Sequence, residues 1–254
     1  MLGAIQVESV SKTFQTEGSA ALEALRNVSV DIRPGQFVSF VGPSGCGKST
    51  LLKLIAGLLE PSTGKVRVGG SEVTGPRRSV GVMFQTPVLF PWRTVLENVL
   101  LPIEVFGLER GAASRKAMAI LKMVGLEGRE GAYPRELSGG MQQRAALSRV
   151  LVIDPGIILM DEPFGALDEF TRERMNLELL RIWQERGQTI IFVTHSITEA
   201  VFLSDRVVVM DTNPGRVVSV IDVPLPRPRS IEQMKSTQFA SAVFEIREFL
   251  GVAR

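Results

Sequence analysis

At residues 42–50 the chain reads Gly42-Pro43-Ser44-Gly45-Cys46-Gly47-Lys48-Ser49-Thr50, which matches the pattern G-x-x-x-x-G-K-[ST] at every fixed position. The apolar run before it, residues 36–41, predicts a buried strand, and residues 49–57 predict a helix that ends at a glycine. A strand, a glycine-rich turn and a helix in this order direct backbone N–H groups and the positive end of a helix dipole toward a phosphate. The segment therefore predicts a nucleotide-binding loop around which the chain is organised.

Two side chains of this loop have predicted chemical roles. Lys48 is expected to reach the β- and γ-phosphate oxygens, and the Ser49 hydroxyl is expected to bind Mg²⁺. Cys46 is interpreted as a residue that fills space inside the loop. The alternative is a glycine-rich turn that only joins a strand to a helix. The Lys-Ser pair in register and the flanking elements favour phosphate binding.

A pair of carboxylates follows a later apolar stretch. Residues 157–160 predict a buried strand that delivers Asp161 and Glu162 at its carboxyl end, where open α/β sheets bind ligands. Asp161 is expected to hold Mg²⁺ through its water shell, and Glu162 to orient or deprotonate the attacking water. The alternative is that two acidic residues merely end a strand, and the upstream phosphate loop favours a site.

Two more polar side chains follow buried strands. Gln85 comes directly after the apolar residues 80–84, and His195 follows the apolar residues 189–194. His195 is the only histidine of the chain. A lone histidine is usually a satisfied core or surface group, but one that ends a strand beside other strands with polar ends is favoured as a site residue.

The pattern changes to helices between residues 86 and 150. Thr94 and Glu97 have the spacing of a capping box, and an amphipathic run at residues 112–124 ends at a glycine. Ser138 fits the cap of a further helix, whose N-terminus is a second anion site. These features predict a helical subdomain inserted into an α/β core.

The segment after Gln85 is unusually apolar for a loop. Val88, Leu89, Phe90 and Trp92 are crowded between two prolines, where turn chemistry usually places polar residues. A large apolar loop usually has a partner, so we predict that this segment couples the chain to a membrane partner. The alternative is that these side chains pack on the helical subdomain.

The two ends of the chain carry weaker signals. Residues 5–14 begin with strand-like alternation and end at Phe14, which fits either a core position or a stack on a base. Proline and arginine dominate residues 213–216 and 224–229, as in a packed extended arm or a linker. Apolar residues at helical spacing over 239–250 predict an amphipathic helix that docks on the core of the same chain.

Composition limits the classes of partner. The chain has 254 residues, 29 basic and 27 acidic, and because these are interspersed no nucleic-acid-binding stripe is expected. The mean hydropathy is +0.17, yet no apolar run approaches the ~18 residues needed to span a bilayer. A single cysteine and no basic-then-apolar leader predict a cytosolic location.

The order of these motifs resembles the ATP-binding subunit of an ABC transporter over nearly the whole chain. A Leu-Ser-Gly-Gly signature with a downstream Asp-Glu is very specific, whereas a phosphate loop alone fits many kinases and GTPases. The residues that carry the resemblance are the phosphate loop, Gln85, Leu137-Ser138-Gly139-Gly140-Met141-Gln142-Gln143-Arg144, Asp161-Glu162, Asp168 and His195.

The resemblance implies a single ABC ATPase domain over residues 1–254. Its fold would be α/β, a P-loop NTPase core with a mainly parallel sheet, an N-terminal antiparallel β subdomain and an inserted helical subdomain. The expected parts are the nucleotide-binding core (1–85 and 151–210), the helical subdomain (86–150), and a C-terminal arm and helix (211–254).

The resemblance also implies a site shared between two copies of the chain, with ATP and Mg²⁺ as cofactors. Two ATP molecules would lie in a head-to-tail homodimer, each held by one phosphate loop and the signature of the other subunit. The residues implied for nucleotide binding are the phosphate loop Gly42, Pro43, Ser44, Gly45, Cys46, Gly47, Lys48, Ser49 and Thr50, with Phe14 against the adenine and Ser138, Gly139 and Gly140 against the nucleotide of the second subunit. Asp168 would lie at the dimer seam, and Ser49, Asp161 and Gln85 would hold the metal. The catalytic roles implied are Glu162 as general base, His195 at the γ-phosphate, and Gln85 and Lys48 beside them.

Residues 88–99 and the Asn-Pro-Gly-Arg and Leu-Pro-Arg-Pro segments are similar to importers of the nitrate, sulfonate and taurine group. Such importers use a membrane permease and an extracytoplasmic solute-binding protein, which implies a peripheral location at the cytoplasmic face of the membrane. Ser196 stands where many relatives have an acid after the histidine, which weakens a subgroup assignment based on that position.

Two other classes compete with this interpretation. The first is a soluble ABC ATPase that acts on DNA ends, on Fe–S assembly or on ribosomes. A DNA-end ATPase would need long heptad coiled coils, and an ATPase that acts on ribosomes usually has two cassettes in one chain. A phosphate-loop kinase has no use for a Leu-Ser-Gly-Gly helix or for the apolar loop after Gln85.

Overall fold

The computed structural model describes residues 3–15 and 21–251 of the chain. Within these residues the strands are β1 (Ile5–Phe14), β2 (Leu22–Ile32), β3 (Phe37–Val41), β4 (Thr63–Val68), β5 (Ser71–Glu72), β6 (Val80–Met83), β7 (Ile157–Asp161), β8 (Thr189–Val193), β9 (Arg206–Asp211) and β10 (Arg216–Asp222). The α-helices are α1 (Lys48–Ile55), α2 (Val95–Val105), α3 (Arg110–Met123), α4 (Gly139–Leu151), α5 (Glu169–Arg186), α6 (Ile197–Leu203) and α7 (Thr237–Phe249). Short 3₁₀ turns occupy Pro134–Glu136 and Ile231–Lys235.

The strands form two sheets. The larger has the order β10-β9-β3-β8-β7-β6, in which the five strands from β9 to β6 are parallel and β10 pairs antiparallel with β9. The smaller has the order β2-β1-β4-β5 and is antiparallel throughout. With helices α2, α3 and α4 in the insertion, this architecture confirms the predicted α/β P-loop NTPase fold.

The parallel strands are continuous apolar runs because both faces of the sheet are covered. Every residue of β3, β7 and β8 is buried. Successive side chains along β8 belong to opposite layers: Ile190 and Phe192 pack with α2 to α7, while Ile191 and Val193 pack toward α1 and the small sheet. The sheet is therefore the central layer, and its carboxyl edge is left for the loops that bear the site.

Capping chemistry starts the helices where the sequence predicts. The Thr94 hydroxyl accepts from the Glu97 backbone N–H, and the Glu97 carboxylate accepts in return from Thr94, a complete capping box. The Ser138 hydroxyl accepts from the Met141 N–H and begins α4. The prediction that the C-terminal helix docks on the core is also confirmed, because Phe239, Val243 and Ile246 of α7 are buried.

The region after residue 210 differs from the expected arm. The Asn-Pro-Gly stretch is a hairpin turn, and the run that follows it, β10, is an edge strand of the large sheet, so the core extends to Asp222. Two β-branched runs separated by turn residues are a hairpin signal, and the flanking prolines and arginines obscured it. Only residues 223–230 lack both helix and strand, as expected for an arm or a linker. None of the helices in residues 3–15 and 21–251 has the length and apolar character needed to cross a bilayer.

Candidate functional site

The phosphate loop lies between the end of β3 and the start of α1. The Lys48 ammonium is buried, with 5% of the residue exposed, and donates to the carbonyls of Gly42 (2.8 Å) and Pro43 (3.0 Å). A cation is thereby held at the centre of the loop, beside the N-terminus of a helix. Both features attract anions, as a phosphate-binding loop requires.

Glycine is needed in this loop for two different reasons. Gly45 has a φ of +81° with open space around it, so its requirement is conformational. Gly47 has a φ of +89°, and a Cβ there would lie 2.4 Å from the Leu25 Cδ2 atom, so both backbone and space exclude a side chain. The loop can curl only because these positions have no Cβ.

Three polar side chains meet at the carboxyl ends of three adjacent strands. Gln85 follows β6, Glu162 follows β7 and His195 follows β8. The Gln85 Nε2 atom donates to Glu162 Oε2 (3.0 Å), and the His195 Nε2 atom contacts Glu162 Oε1. Glu162 is therefore bracketed on both sides, as the common sheet edge predicts.

Backbone strain accompanies this arrangement. Glu162 has a φ of +47°, a left-handed conformation that is uncommon for residues other than glycine. Its backbone N–H donates to the Val193 carbonyl (3.0 Å), which fixes the conformation where β7 ends. Strain of this kind persists only where surrounding contacts determine the geometry, and it is common at active sites.

The metal residues predicted from the sequence fit Mg²⁺ in their donor chemistry. The Ser49 hydroxyl donates to Asp161 Oδ1 (2.9 Å), so two oxygen ligands converge beside the first turn of α1. Asp161 is buried, and Gln85 lines the same cleft. Magnesium prefers oxygen ligands and is usually held by one or two carboxylates together with substrate phosphates, which matches this set.

Ser49 and Gln85, but not the buried Asp161, line a cleft of about 440 Å³. Phe14 lies at its edge, half-buried, with the Lys12 ammonium 5.3 Å from the ring centroid. The cleft is lined by Phe14, Leu22, Glu23, Ala24, residues 44–50, Gln85, Glu162, His195 and the Asn213-Pro214-Gly215 turn. The turn was missed because the sequence analysis placed it in the arm.

The signature residues do not line this cleft. Ser138 and Gly139 are exposed at the start of α4, and a Cβ on Gly139 would meet nothing within 4 Å. Asp168 is exposed at the start of α5, where its carboxylate accepts from the Thr171 N–H (2.9 Å). Hydrogen bonds from Thr171 lower the pKa of the Asp168 carboxyl. The chain thus presents a second, outward-facing set of predicted nucleotide residues.

Side chains of α4 hold the segment after Gln85, and the sequence analysis missed them. Gln143 is 2% exposed, and its Nε2 atom donates to the Gln85 carbonyl (2.5 Å). The Arg149 guanidinium donates to the carbonyls of Pro87 (3.0 Å) and Val88 (2.8 Å). No sequence signal other than their place on the same helix pointed to these contacts.

Hydrogen bonds from a side chain of α2 hold the same segment. The fully buried Asn98 side chain accepts from the Phe90 N–H (2.7 Å) and donates to the Phe90 carbonyl (3.1 Å). The Phe90 ring stacks on Trp92 with centroids 5.0 Å apart, and Trp92 is 70% exposed. Leu89 packs on the helical core. The packing alternative is therefore right for Leu89 and wrong for Trp92.

The strand-loop-helix with its buried lysine and the two carboxylates at the end of β7, in the same parallel sheet, define a P-loop nucleoside triphosphatase. The pattern of the ABC transporter family matches residues 25–165. The chain belongs to this family, and it is an ATPase of the ABC type.

Relatives and solved structures extend the likeness beyond that segment. The chain is 47% identical to an uncharacterized ABC transporter ATP-binding protein, MJ0412, of Methanocaldococcus jannaschii, over 95% of this chain and 90% of that protein. It is 41% identical to the aliphatic sulfonates import ATP-binding protein SsuB of Bacillus cereus, over 98% and 97%. It is 42% identical to the nitrate import ATP-binding protein NrtC of Synechococcus elongatus, over 98% of this chain and 38% of that longer protein.

A solved structure also matches the fold. The dimeric ATP-binding cassette MJ0796, in a post-hydrolysis state bound to ADP and Pi, has a TM-score of 0.78 and 36% sequence identity. The match covers 86% of this chain and 98% of that one.

Proposed function

We propose that this chain is the ATP-hydrolysing subunit of an importer. It forms a head-to-tail homodimer around two Mg-ATP and powers uptake of nitrate, a sulfonate, taurine or a related small solute through a membrane permease. An extracytoplasmic solute-binding protein takes part indirectly, and the subunit lies peripherally at the cytoplasmic face of the membrane. The names of the SsuB and NrtC relatives, both import ATP-binding proteins, support this solute class.

The bracketed carboxylate carries the proposed mechanism. Glu162 acts as the general base that takes a proton from the attacking water, because its oxygens lie between Gln85 and His195 at the mouth of the cleft. Gln85 senses the water and the metal. The imidazole of His195 donates toward the γ-phosphate and stabilises charge that develops there.

The ground-state contacts come from the loop. Residues 42–50 hold the phosphates through backbone N–H groups, and Lys48 exchanges its loop carbonyls for phosphate oxygens. Ser49, Asp161 and Gln85 hold Mg²⁺, which neutralises charge on the β- and γ-phosphates when bound. Phe14 stacks on the adenine, and its half-exposed position at the cleft edge supports this role over a core role.

The outward-facing residues argue for a composite site. Ser138, Gly139 and Gly140 bind the nucleotide held by the loop of the other subunit, and Asp168 lies at the seam between subunits. Two observations support this: none of these residues lines the chain's own cleft, and the space around Gly139 is open. A helix N-terminus with exposed N–H groups suits a phosphate.

The stacked pair Phe90 and Trp92 forms the contact with the permease. Gln143, Arg149 and Asn98 hold the backbone that joins this pair to Gln85, so a movement of Gln85 on hydrolysis is transmitted to the exposed aromatic surface. Aromatic residues that are exposed in one chain are common anchors of protein interfaces.

Co-purification tests this function. A tagged candidate permease is co-expressed with this chain, extracted from membranes and assayed for this subunit, with and without Trp92→Ala. We expect a stable complex whose ATPase activity rises when a solute-loaded binding protein is added. A subunit that co-purifies with no membrane-spanning protein, or with DNA or ribosomes instead, contradicts the proposal.

A further inference from the structure

We propose that Glu199 is a positioning residue for His195, acting through hydrogen bonds that hold the residues on both sides of the histidine. For its effect on catalysis, this inference rests on the proposed role of His195 in hydrolysis. Glu199 belongs to α6, whose cap residue, Ser196, directly follows the histidine.

Three hydrogen bonds link Glu199 to the residues on both sides of His195, and one of them ends on its carboxyl group. The Ser196 backbone N–H donates to Thr194 Oγ1 (3.0 Å), and the Thr194 hydroxyl donates to Glu199 Oε2 (2.5 Å). The Glu199 backbone N–H in turn donates to Ser196 Oγ (3.2 Å). Thr194 is therefore bonded directly to the Glu199 carboxyl group, and Ser196 is linked to that group through the Thr194 hydroxyl.

This network differs from an ordinary capping box. In a capping box the glutamate at the third helical position accepts directly from the N–H of the cap residue. Here the hydroxyl of Thr194, the last residue before His195, is inserted between the Ser196 N–H and the Glu199 carboxyl. The carboxyl group consequently ties Thr194, the residue after strand β8, to Ser196, the cap of α6, and His195 is the single residue between these two.

Burial indicates that capping is not the only role of this carboxyl group. Capping needs only an exposed carboxylate, whereas Glu199 is 9% exposed, and burial raises the pKa of its carboxyl group. Asn176 of α5, 6% exposed, lies beside it. Among residues 3–15 and 21–251, neither Glu199 Oε1 nor Asn176 Oδ1 has a hydrogen-bond partner. A costly buried acid at this point is explained by a positioning role.

The histidine depends on its backbone for its orientation. The His195 side chain is 47% exposed, so few packing contacts restrict it, yet its Nε2 atom must meet Glu162. Releasing Thr194 and Ser196 would let the imidazole move relative to the carboxylate. Small displacements of catalytic groups are expensive, because even a mutation far from the reacting atoms costs up to about 100-fold through a misplacement of about 1 Å.

Four variants separate positioning from folding. Glu199→Leu removes the acceptor, and the adjoining cavity of about 120 Å³ leaves it room. Glu199→Gln keeps the bond from Thr194 and can donate to Asn176. Thr194→Val removes the hydroxyl, which Thr194→Ser retains.

Gln188→Leu is the matched control. Gln188 is also a buried polar residue, 5% exposed, but it adjoins the opposite end of β8 and donates to the Pro155 carbonyl. It therefore reports the cost of burying a leucine next to the same strand without touching the segment around His195.

Because His195 is the only histidine, its imidazole ¹H–¹³C signals in the untagged full chain report its position without ambiguity. We expect these signals to shift or broaden in Glu199→Leu and Thr194→Val, and to stay as in the parent in Glu199→Gln, Thr194→Ser and Gln188→Leu. Unchanged imidazole signals in folded Glu199→Leu and Thr194→Val overturn the positioning role.

Kinetics test the link to catalysis separately. We expect Glu199→Leu to lower kcat about tenfold with KM for ATP unchanged. In a His195→Ala background the same change should have no further effect, because both substitutions disable one unit. An equal loss in both backgrounds overturns action through His195. If the imidazole signals shift but His195→Ala retains full turnover, positioning by Glu199 is supported and the catalytic role of His195 is the part that fails.

Discussion

At the carboxyl ends of β6, β7 and β8, Glu162 contacts both Gln85 and His195 within one chain. At the N-termini of α4 and α5, Ser138 and Asp168 face outward, and neither lines the cleft. Side-chain contacts and a strained backbone mark the first region, whereas Ser138 and Asp168 in the second cap their own helices. This difference is what the proposed composite site requires, with one chain supplying Gln85, Glu162 and His195 and a second copy supplying the outward-facing residues.

The largest effect on ATP hydrolysis should come from the first region, at the ends of β6, β7 and β8. Glu162→Gln keeps the shape and the contact to Gln85 but cannot accept a proton, so we expect turnover to fall by about 10²- to 10⁴-fold. ATP binding should persist, since the base acts in the chemical step. Steady-state hydrolysis and nucleotide binding measure the two effects. Glu185→Gln, an exposed change on α5, is the control, and normal hydrolysis by Glu162→Gln would remove the assignment of the base.

Replacing the loop lysine should weaken the binding of ATP itself. Lys48→Ala removes a buried cation from the phosphate site, and we expect ATP affinity to fall about 10- to 100-fold. Lys53→Ala, an exposed lysine of the same helix, should leave affinity unchanged. Equal affinity in Lys48→Ala and the parent protein would show that the loop does not hold phosphate through this charge.

A mixed dimer tests whether the two regions complete each other. Combining Lys48→Ala with Gly139→Asp places both defects in one composite site and leaves the other site whole, so ATP-dependent dimerisation should recover relative to either parent. Gly139→Asp should fold, because a Cβ there meets nothing within 4 Å. Light scattering with ATP measures the recovery. A mixture no better than its parents would mean that each chain builds its own complete site.

The smallest expected effect lies at the aromatic surface outside both regions. Trp92→Ala should lower transport and permease-stimulated ATPase roughly fivefold or more, as for an interface anchor worth over about 1 kcal/mol. ATP affinity and melting temperature of the isolated subunit should change little, because Trp92 is 70% exposed.

Leu89→Ala is the matched comparison for that surface. Leu89 packs on the helical core, so its truncation should lower the melting temperature. If Trp92→Ala destabilises the subunit as much as Leu89→Ala does, the surface is structural. Full transport by Trp92→Ala would exclude it as a coupling contact.

The hydrolytic region was predictable because its parts end neighbouring strands. Apolar runs followed by Gln85, Glu162 and His195 predict parallel strands with polar carboxyl ends, and parallel strands present those ends at one edge. The phosphate loop and the helix caps at Thr94 and Ser138 were predictable for a related reason. Their hydrogen bonds join residues a few positions apart, so local sequence contains both partners.

Other features needed the folded chain. Residues 216–222 were assigned to an arm because prolines and arginines flank them, yet they pair with β9 in the large sheet. Phe14 suited both the core and a base until its place at the cleft edge was known. Gln143 and Arg149 have no local signal, because their partners lie 58 and 61 to 62 residues away.

The sequence by itself determined the family, the phosphate loop and the order of most strands and helices, and it predicted which residue is the base, since each depends on short motifs or on apolar periodicity. Only the tertiary structure decided that Glu162 meets both Gln85 and His195, that α4 clamps the loop leading to Trp92, and that Glu199 lies buried behind the histidine. These contacts depend on which strands are neighbours and how helices pack across them, and both are set by burial of apolar surface over the whole chain.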